Sequence, residues 1–255
     1  MDWQRLVIAS EQHQGGRVVL TPAQQHYLQR VLRLREGDRF IALDGQGAQW
    51  IAVLASEPGN AAIIEAIPPN LATQPEIVLA AALPKGNGFD EVVRQGTELG
   101  VSSIQPVISD RTLLKPSPNR LERWRRIATE ASEQSEQLVV PDIRSPLPWP
   151  QFLKELEISP EKGHRYLCTA RGNRPHLIHC LTPPPEQVVI AVGPEGGWTN
   201  AEIAAAIAVG FQPVSLGPMV LRAVTAPLAA LTLVQAATAL GKPAHHPSDQ
   251  PVSGH

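Results

Sequence analysis

What the chain lacks narrows its role before any motif is considered. Its 255 residues include only two cysteines, Cys168 and Cys180, which stand twelve apart and form no CxxC pair. Neither a disulfide scaffold nor a zinc site is expected, and a reducing, cytoplasmic setting is the natural one. The opening residues MDWQRLVIAS carry no basic region followed by a long apolar stretch, so no secretory leader is expected. Charge of neither sign dominates: 22 Lys and Arg stand against 24 Asp and Glu, for a formal net charge of −2. With no global attraction to polyanions, any hold on nucleic acid must rest on a local basic patch. The adjacent His245 and His246 have no acidic or cysteine partners in their Pro- and Ser-rich surroundings, so no metal site is expected. No internal repeat is present.

One stretch lacks charge altogether. Ala223 to Gly241 runs 19 residues without a charged side chain, near the minimum length for spanning a bilayer. Three threonines, a glutamine and a proline interrupt it, and no aromatic belt flanks it. The composition therefore predicts no membrane span but a helix buried nearly all round inside an α/β protein.

What is present divides into two patterns. Up to residue 70, short β-favouring runs (RLVIA 5–9, RVVL 17–20, RFIALDG 39–45, AQWIAVL 48–54, AAIIEAI 61–67) are bounded by Gly, Pro or Asn. Between them TPAQQHYLQRVLR predicts a helix with Thr21 as cap and Pro22 in its first turn. Asp44-Gly45 followed by Gln46-Gly47 signals a hairpin. IPPNLATQP (67–75) has linker composition. From Glu76 onward strands and helices alternate. IVLAAAL (77–83), IQPVIS (104–109), RYLCTA (165–170), VVIAV (188–192) and PVSL (213–216) read as strands. FDEVVRQGTEL, ending at Gly100, reads as a helix. A longer helix opens at Ser117-Pro118, with Trp124, Ile127, Ala128 and Ala131 on one face. Such alternation predicts a mainly parallel sheet flanked by helices. The predicted units are 1–70, 71–242 and a tail, 243–255.

The strongest chemical signal is VVIAVGPEGGWTNAEIAAAI. A buried strand ends at Val192, a Gly-rich loop follows, and Thr199 with Glu202 forms a capping box that starts the next helix. Ligands of open α/β sheets bind outside the carboxyl ends of the strands, where this loop falls. The loop is neither GxGxxG nor GxxxxGK[ST], so nothing favours a dinucleotide or a nucleoside triphosphate. About 23 residues later VSL-GP-MVLR repeats the strand-to-turn pattern, and the two loops are expected to line one pocket. Arg222 is the single charge between Val214 and Gly241. A guanidinium keeps its proton and is costly to bury alone, so it needs a carboxylate such as Glu195 or Glu202, a phosphate, or a substrate oxygen.

At these residues the sequence resembles a known family. GPEGGWTNAEI (193–203) with LGPMVLRAVTAPLAAL (216–231) is similar to the paired C-terminal motifs of the bacterial 16S rRNA (uracil N3)-methyltransferases, members of the knotted SPOUT superfamily. RVLRLREGD (30–38), ALDG (42–45), LPKG (83–86), TELGV (97–101) and EASEQSEQLVVPDI (130–143) follow in the family's order. The resemblance implies a fold of class α/β: a SPOUT-type parallel sheet with a C-terminal trefoil knot, preceded by a small PUA-like β-barrel that binds RNA. It implies a homodimer and S-adenosyl-L-methionine as cofactor, with 16S rRNA or the small ribosomal subunit as partner. Carried over by motif, the cofactor-binding residues are Val192, Gly193, Pro194, Glu195, Gly196, Gly197, Leu216, Gly217, Pro218, Val220 and Leu221, and Arg222 is the catalytic residue. Arg30, Arg33, Arg35 and Lys85 are the expected RNA contacts.

The chain departs from the family pattern where that pattern carries charge. Met219 replaces an arginine, Ala223-Val224 replaces Thr-Glu, Gln95 and Gly88 each replace a lysine, and Glu136-Gln137 replaces Gly-Arg. These losses thin the basic surface. Two other readings therefore stay open beside the uracil enzyme: another SPOUT RNA methyltransferase with a different target, and a non-catalytic RNA-binding relative.

Overall fold

The β-favouring runs near the start pair with one another because each carries one apolar face. In the structure, a computed structural model that describes residues 3–68, 74–113, 117–158 and 163–241, six strands form the first sheet. They are β1 (Arg5–Val7), β2 (His13–Gln14), β3 (Arg17–Val19), β4 (Arg39–Leu43), β5 (Gln49–Leu54) and β6 (Asn60–Ile67), in the order β1-β4-β5-β6-β3-β2. Only β1 and β4 run parallel. Asp44 closes the β4–β5 hairpin, its Oδ1 accepting from the amides of Gln46 and Ala48 at 2.8 and 2.9 Å. Helix α1 (Pro22–His26) has the expected Thr21 cap and continues as one wider turn over Tyr27–Val31. This unit has its own core, built on Leu6, Ile8, Val18, Leu28, Phe40 and Leu54.

The second sheet is parallel throughout. Its strands are β7 (Glu76–Ala82), β8 (Ser103–Ile108), β9 (Asp142–Ile143), β10 (Leu147–Pro148), β11 (His164–Cys168), β12 (Gln187–Val192) and β13 (Gln212–Val214). The order is β10-β8-β7-β12-β11-β13, with β9 beside β8. Strands buried on both faces need apolar residues in succession, and β7 divides them strictly. Ile77, Leu79 and Ala81 enter one core, while Val78, Ala80 and Ala82 enter the other. Helices α2 (Gly88–Glu98), α3 (Pro118–Gln134), α5 (Leu177–Cys180) and α7 (Thr225–Gly241) contribute to the first of these cores, and α4 (Trp149–Ile158) and α6 (Asn200–Ala208) to the second. Trp149 anchors the second core, 4.5 Å from the Trp198 ring and 5.8 Å from that of Phe211.

Two sequence expectations change. α4 was not foreseen, since Pro148 rather than a capping side chain precedes Trp149. α7 is not buried all round: Pro227, Ala230, Leu231, Val234 and Ala237 form one buried stripe, whereas Thr232, Ala236 and Leu240 are exposed. Small residues on the outer face explain its uniform apolarity without a second packed layer. Among the described residues no helix is long and apolar enough to cross a membrane. The tail from 243 and most of the linker lie outside the described residues.

Candidate functional site

Because the second sheet is parallel, the carboxyl ends of β7, β8, β11, β12 and β13 meet at one edge. The loops leaving β11, β12 and β13 enclose a cavity of about 640 Å³. The two Gly-Pro loops foreseen from the sequence both line it, but they are not neighbours. The crossover from β12 to β13 passes β11, so a third loop, Thr169 to Arg174, joins them around the cavity.

The loop after β12 is held from several sides. The Gly197 amide donates to the Pro194 carbonyl at 2.8 Å, and Gly197 has φ +67°, which favours glycine. A Cβ on Gly193 would lie 3.1 Å from the Trp198 ring, a tight approach that glycine relieves. From the β8 end, Arg111 donates through Nη1 to the Gly196 carbonyl. From the β7 end, the Lys85 amide donates to Glu195 Oε1 at 3.0 Å. The capping box forms as expected: Thr199 Oγ1 accepts from the Glu202 amide, and Glu202 Oε2 accepts from the Thr199 amide at 2.7 Å. Glu202 Oε1 also accepts from the Asp110 amide at 2.9 Å. This buried carboxylate is thus occupied by backbone donors and is not a partner for Arg222.

In the second loop Ser215 Oγ accepts from the Gly217 amide at 3.1 Å, and Gly217 has φ +128°. Leu216, Gly217, Met219, Val220 and Leu221 line the cavity. The Arg222 carbonyl accepts from the amides of Thr225 and Ala226, both at 2.9 Å, which starts α7. Its side chain is exposed, and among the described residues it makes no ion pair with Glu195 or Glu202. The buried-charge problem posed by the sequence does not arise, because Arg222 precedes the helix.

Of the motif-derived cofactor residues, Val192, Gly193, Pro194, Glu195, Gly196, Gly197, Leu216, Gly217, Val220 and Leu221 line the cavity and Pro218 does not; Arg222, the expected catalytic residue, lies outside the lining, between Leu221 and Ala223, which are part of it. Lys85 reaches the cleft through its backbone. Arg30, Arg33 and Arg35 are exposed on the first unit. Sequence reasoning missed Arg111, Trp198 and the Thr169–Arg174 loop. The last had a signal, a Gly four residues after a buried strand. The Cys168 thiol at the cavity floor is pushed up to about 12 by burial. Among the described residues no three His, Cys, Asp or Glu side chains cluster as metal ligands.

A glycine-lined cleft at the carboxyl edge of a parallel sheet, beside a separate β-sheet unit, has clear counterparts among known proteins. Residues 72–235 match the RNA methyltransferase domain family and residues 20–67 the RNA methyltransferase PUA domain family. By class, then, this is an RNA methyltransferase. Ribosomal RNA small subunit methyltransferase E of Synechocystis is 51% identical over 235 residues, covering 91% of this chain and 77% of that protein. The same enzyme from Neisseria gonorrhoeae, solved with S-adenosyl methionine, is 30% identical with a TM-score of 0.79, over 92% of this chain and 98% of that one. A Legionella pneumophila protein described as a methyltransferase and solved with bound SAM is 28% identical with a TM-score of 0.82, over 93% of this chain and 98% of that one. The chain belongs to the ribosomal RNA small subunit methyltransferase E family.

Proposed function

We propose that the protein methylates N3 of a uridine in 16S rRNA, using S-adenosyl-L-methionine bound in the cleft of β11, β12 and β13. The observation that carries this is the convergence of two Gly-Pro loops on one cavity at the carboxyl edge. The residues present suit the cofactor. The cavity offers apolar walls at Trp198, Ile203, Leu216 and Leu221 for an adenine ring. Glycines bring the main chain close, and Trp198 Nε1 is a buried donor with no acceptor among the described residues. Val192 to Gly197 and Leu216 to Leu221 would hold the cofactor, which supplies an activated methyl group on sulfur.

The protein's own task is then positioning and charge control. N3 of uridine is an imide nitrogen that must lose its proton before it attacks. Arg222 stabilises the negative charge that develops on O2 or O4, as a fixed cation that never acts as a base. Its exposed, carboxylate-free position leaves it available to an incoming nucleotide. The Glu195 carboxylate, engaged by the Lys85 amide, positions the loop. The first unit, to residue 70, holds RNA through Arg30, Arg33 and Arg35, and residues 71–242 form the catalytic unit. The chain threads as a trefoil knot around the cleft and pairs as a homodimer through the exposed face of α7. It works in the cytoplasm, where its rRNA substrate is made.

Arg222→Ala is expected to bind S-adenosylhomocysteine as the parent does by calorimetry. Its methyl transfer to 16S rRNA should fall by about 10²- to 10³-fold, the usual cost of one such donor. Full-rate transfer would remove Arg222 from the mechanism. Mass spectrometry showing no 3-methyluridine formed by the parent protein would refute the function itself.

A further inference from the structure

We propose that Arg171 and Arg174, on the loop after β11, receive backbone phosphates of the RNA beside the nucleotide being methylated. This rests on the methyltransferase reading above and adds a substrate-binding element to it.

The first observation is how the arginines are employed. Arg5, Arg123, Arg125, Arg126 and Arg144 each face a carboxylate. Arg111 and Arg120 donate to backbone carbonyls, and Arg165 is tied to Leu156 and Val209. Arg171 and Arg174 have neither kind of partner among the described residues, yet both line the cavity. The charged residues of the lining are Arg111, Arg171, Arg174 and Glu195. A protein whose formal charge is −2 therefore concentrates positive charge at the cleft mouth, which attracts a polyanion locally.

The second observation is that the loop is braced. At its start the Thr169 amide donates to the Val214 carbonyl at 2.9 Å. At its end the Ser215 amide donates to the Pro175 carbonyl, and the Leu177 amide to the Ser215 carbonyl, both at 2.9 Å. Both ends are thus pinned to the root of the Leu216–Leu221 loop. Gly172 turns between the arginines with φ +98°, and a Cβ there would sit 3.5 Å from Arg174 Nε. A braced loop loses less entropy on binding, and phosphate contact through it fixes RNA against the cofactor loop.

The competing anion is the carboxylate of the cofactor. That group would be enclosed with its ligand and would bury its partner, whereas the Arg171 and Arg174 side chains are both exposed. Phosphates on a passing strand match exposed, rim-facing guanidinium groups better.

The double variant Arg171→Ala/Arg174→Ala tests this, with deproteinised, unmodified 16S rRNA in filter binding over a salt series and S-adenosylhomocysteine in calorimetry. Two lost phosphate contacts should weaken RNA binding about tenfold or more and flatten the slope of log K against log salt by about 1.4, at about 0.7 per contact on single strands. Cofactor-product affinity should not change, which also reports that the fold is intact. Arg171→Lys/Arg174→Lys should restore most of the slope, since a point charge suffices for it. Weaker binding of S-adenosylhomocysteine would assign the pair to the cofactor carboxylate instead. Unchanged RNA affinity and slope would also overturn the proposal while leaving the methyltransferase reading in place. A parent protein that binds no S-adenosylhomocysteine would bring down that reading, and the proposal with it.

Discussion

Burial sets the chemistry of Cys168 and Arg222 in opposite ways. Cys168 ends β11 at the cavity floor, and burial pushes its thiol up to about 12, so almost no thiolate exists at neutral pH. Cys180 is partly exposed, and burial raises its thiol as well. In native protein at pH 8, iodoacetamide followed by peptide mass mapping is expected to modify Cys180 slowly and leave Cys168 intact until denaturant is added. Rapid labelling of Cys168 in the folded protein would contradict its burial. Arg222, by contrast, sits among apolar residues in sequence yet is exposed in space. Two departures from the family pattern also prove to be one. A Cβ on Gly88 would lie 2.7 Å from Val224 Cγ1, so a position expected to carry lysine touches one expected to carry glutamate. In this chain a glycine packs against an apolar valine at that contact.

Among the elements, α3 links the two units. Its Glu133 Oε1 accepts from the Val7 amide on β1 at 2.7 Å, and Arg5 pairs with Glu136 at 2.8 Å. The Val140 amide donates to the Gly45 carbonyl at 2.9 Å beside them. Burial raises the Glu133 carboxyl above its ordinary 4.5, with the Glu130 charge adding to this and the Val7 bond opposing it. The folded protein therefore holds this proton more tightly than the unfolded chain. The stability it contributes is complete below pH 4.5 and is lost as the pH rises through the folded-state value. Glu133→Gln keeps an acceptor for Val7 without a charge to bury. Its melting temperature relative to the parent should rise between pH 4.5 and pH 7 and show no such gain below that window. A relative melting temperature that falls across the window would mean that the ionised carboxylate stabilises the seam. The helix starts at Thr21 and Thr199 were legible because their caps act locally, and the start at Ser117 because Pro118 stands in its first turn. α4 was not, because it is held by the burial of Trp149 against Trp198 and Phe211 far along the chain rather than by its own termini.

Over the whole molecule, two sheets with separate cores leave α7 half covered. Its buried stripe faces the sheet, while Ala236, Ala239 and Leu240 face outward, the last 83% exposed. The proposed pairing would cover that face, and Ala and Thr side chains allow two helices to approach closely. Light scattering on the purified protein is expected to return twice the mass of the chain, and Ala236→Glu should return the single mass with the fold retained. A single mass for the parent would remove the homodimer.

The sequence by itself determined most of the longer strands and helices, the parallel order of the second sheet, and the two Gly-Pro loops that line the cavity. Each of those is written in local periodicity, caps and turns, which act within about a dozen residues. Only the tertiary structure decided that β11 stands between β12 and β13, and that its loop adds to the cleft two arginines without an ion pair among the described residues. It alone gave Glu202 to the backbone and left the Arg222 side chain exposed, with no ion pair among the described residues. Strand order and the partners of charged groups depend on residues far apart in the chain meeting at one sheet edge, and no local pattern encodes that meeting.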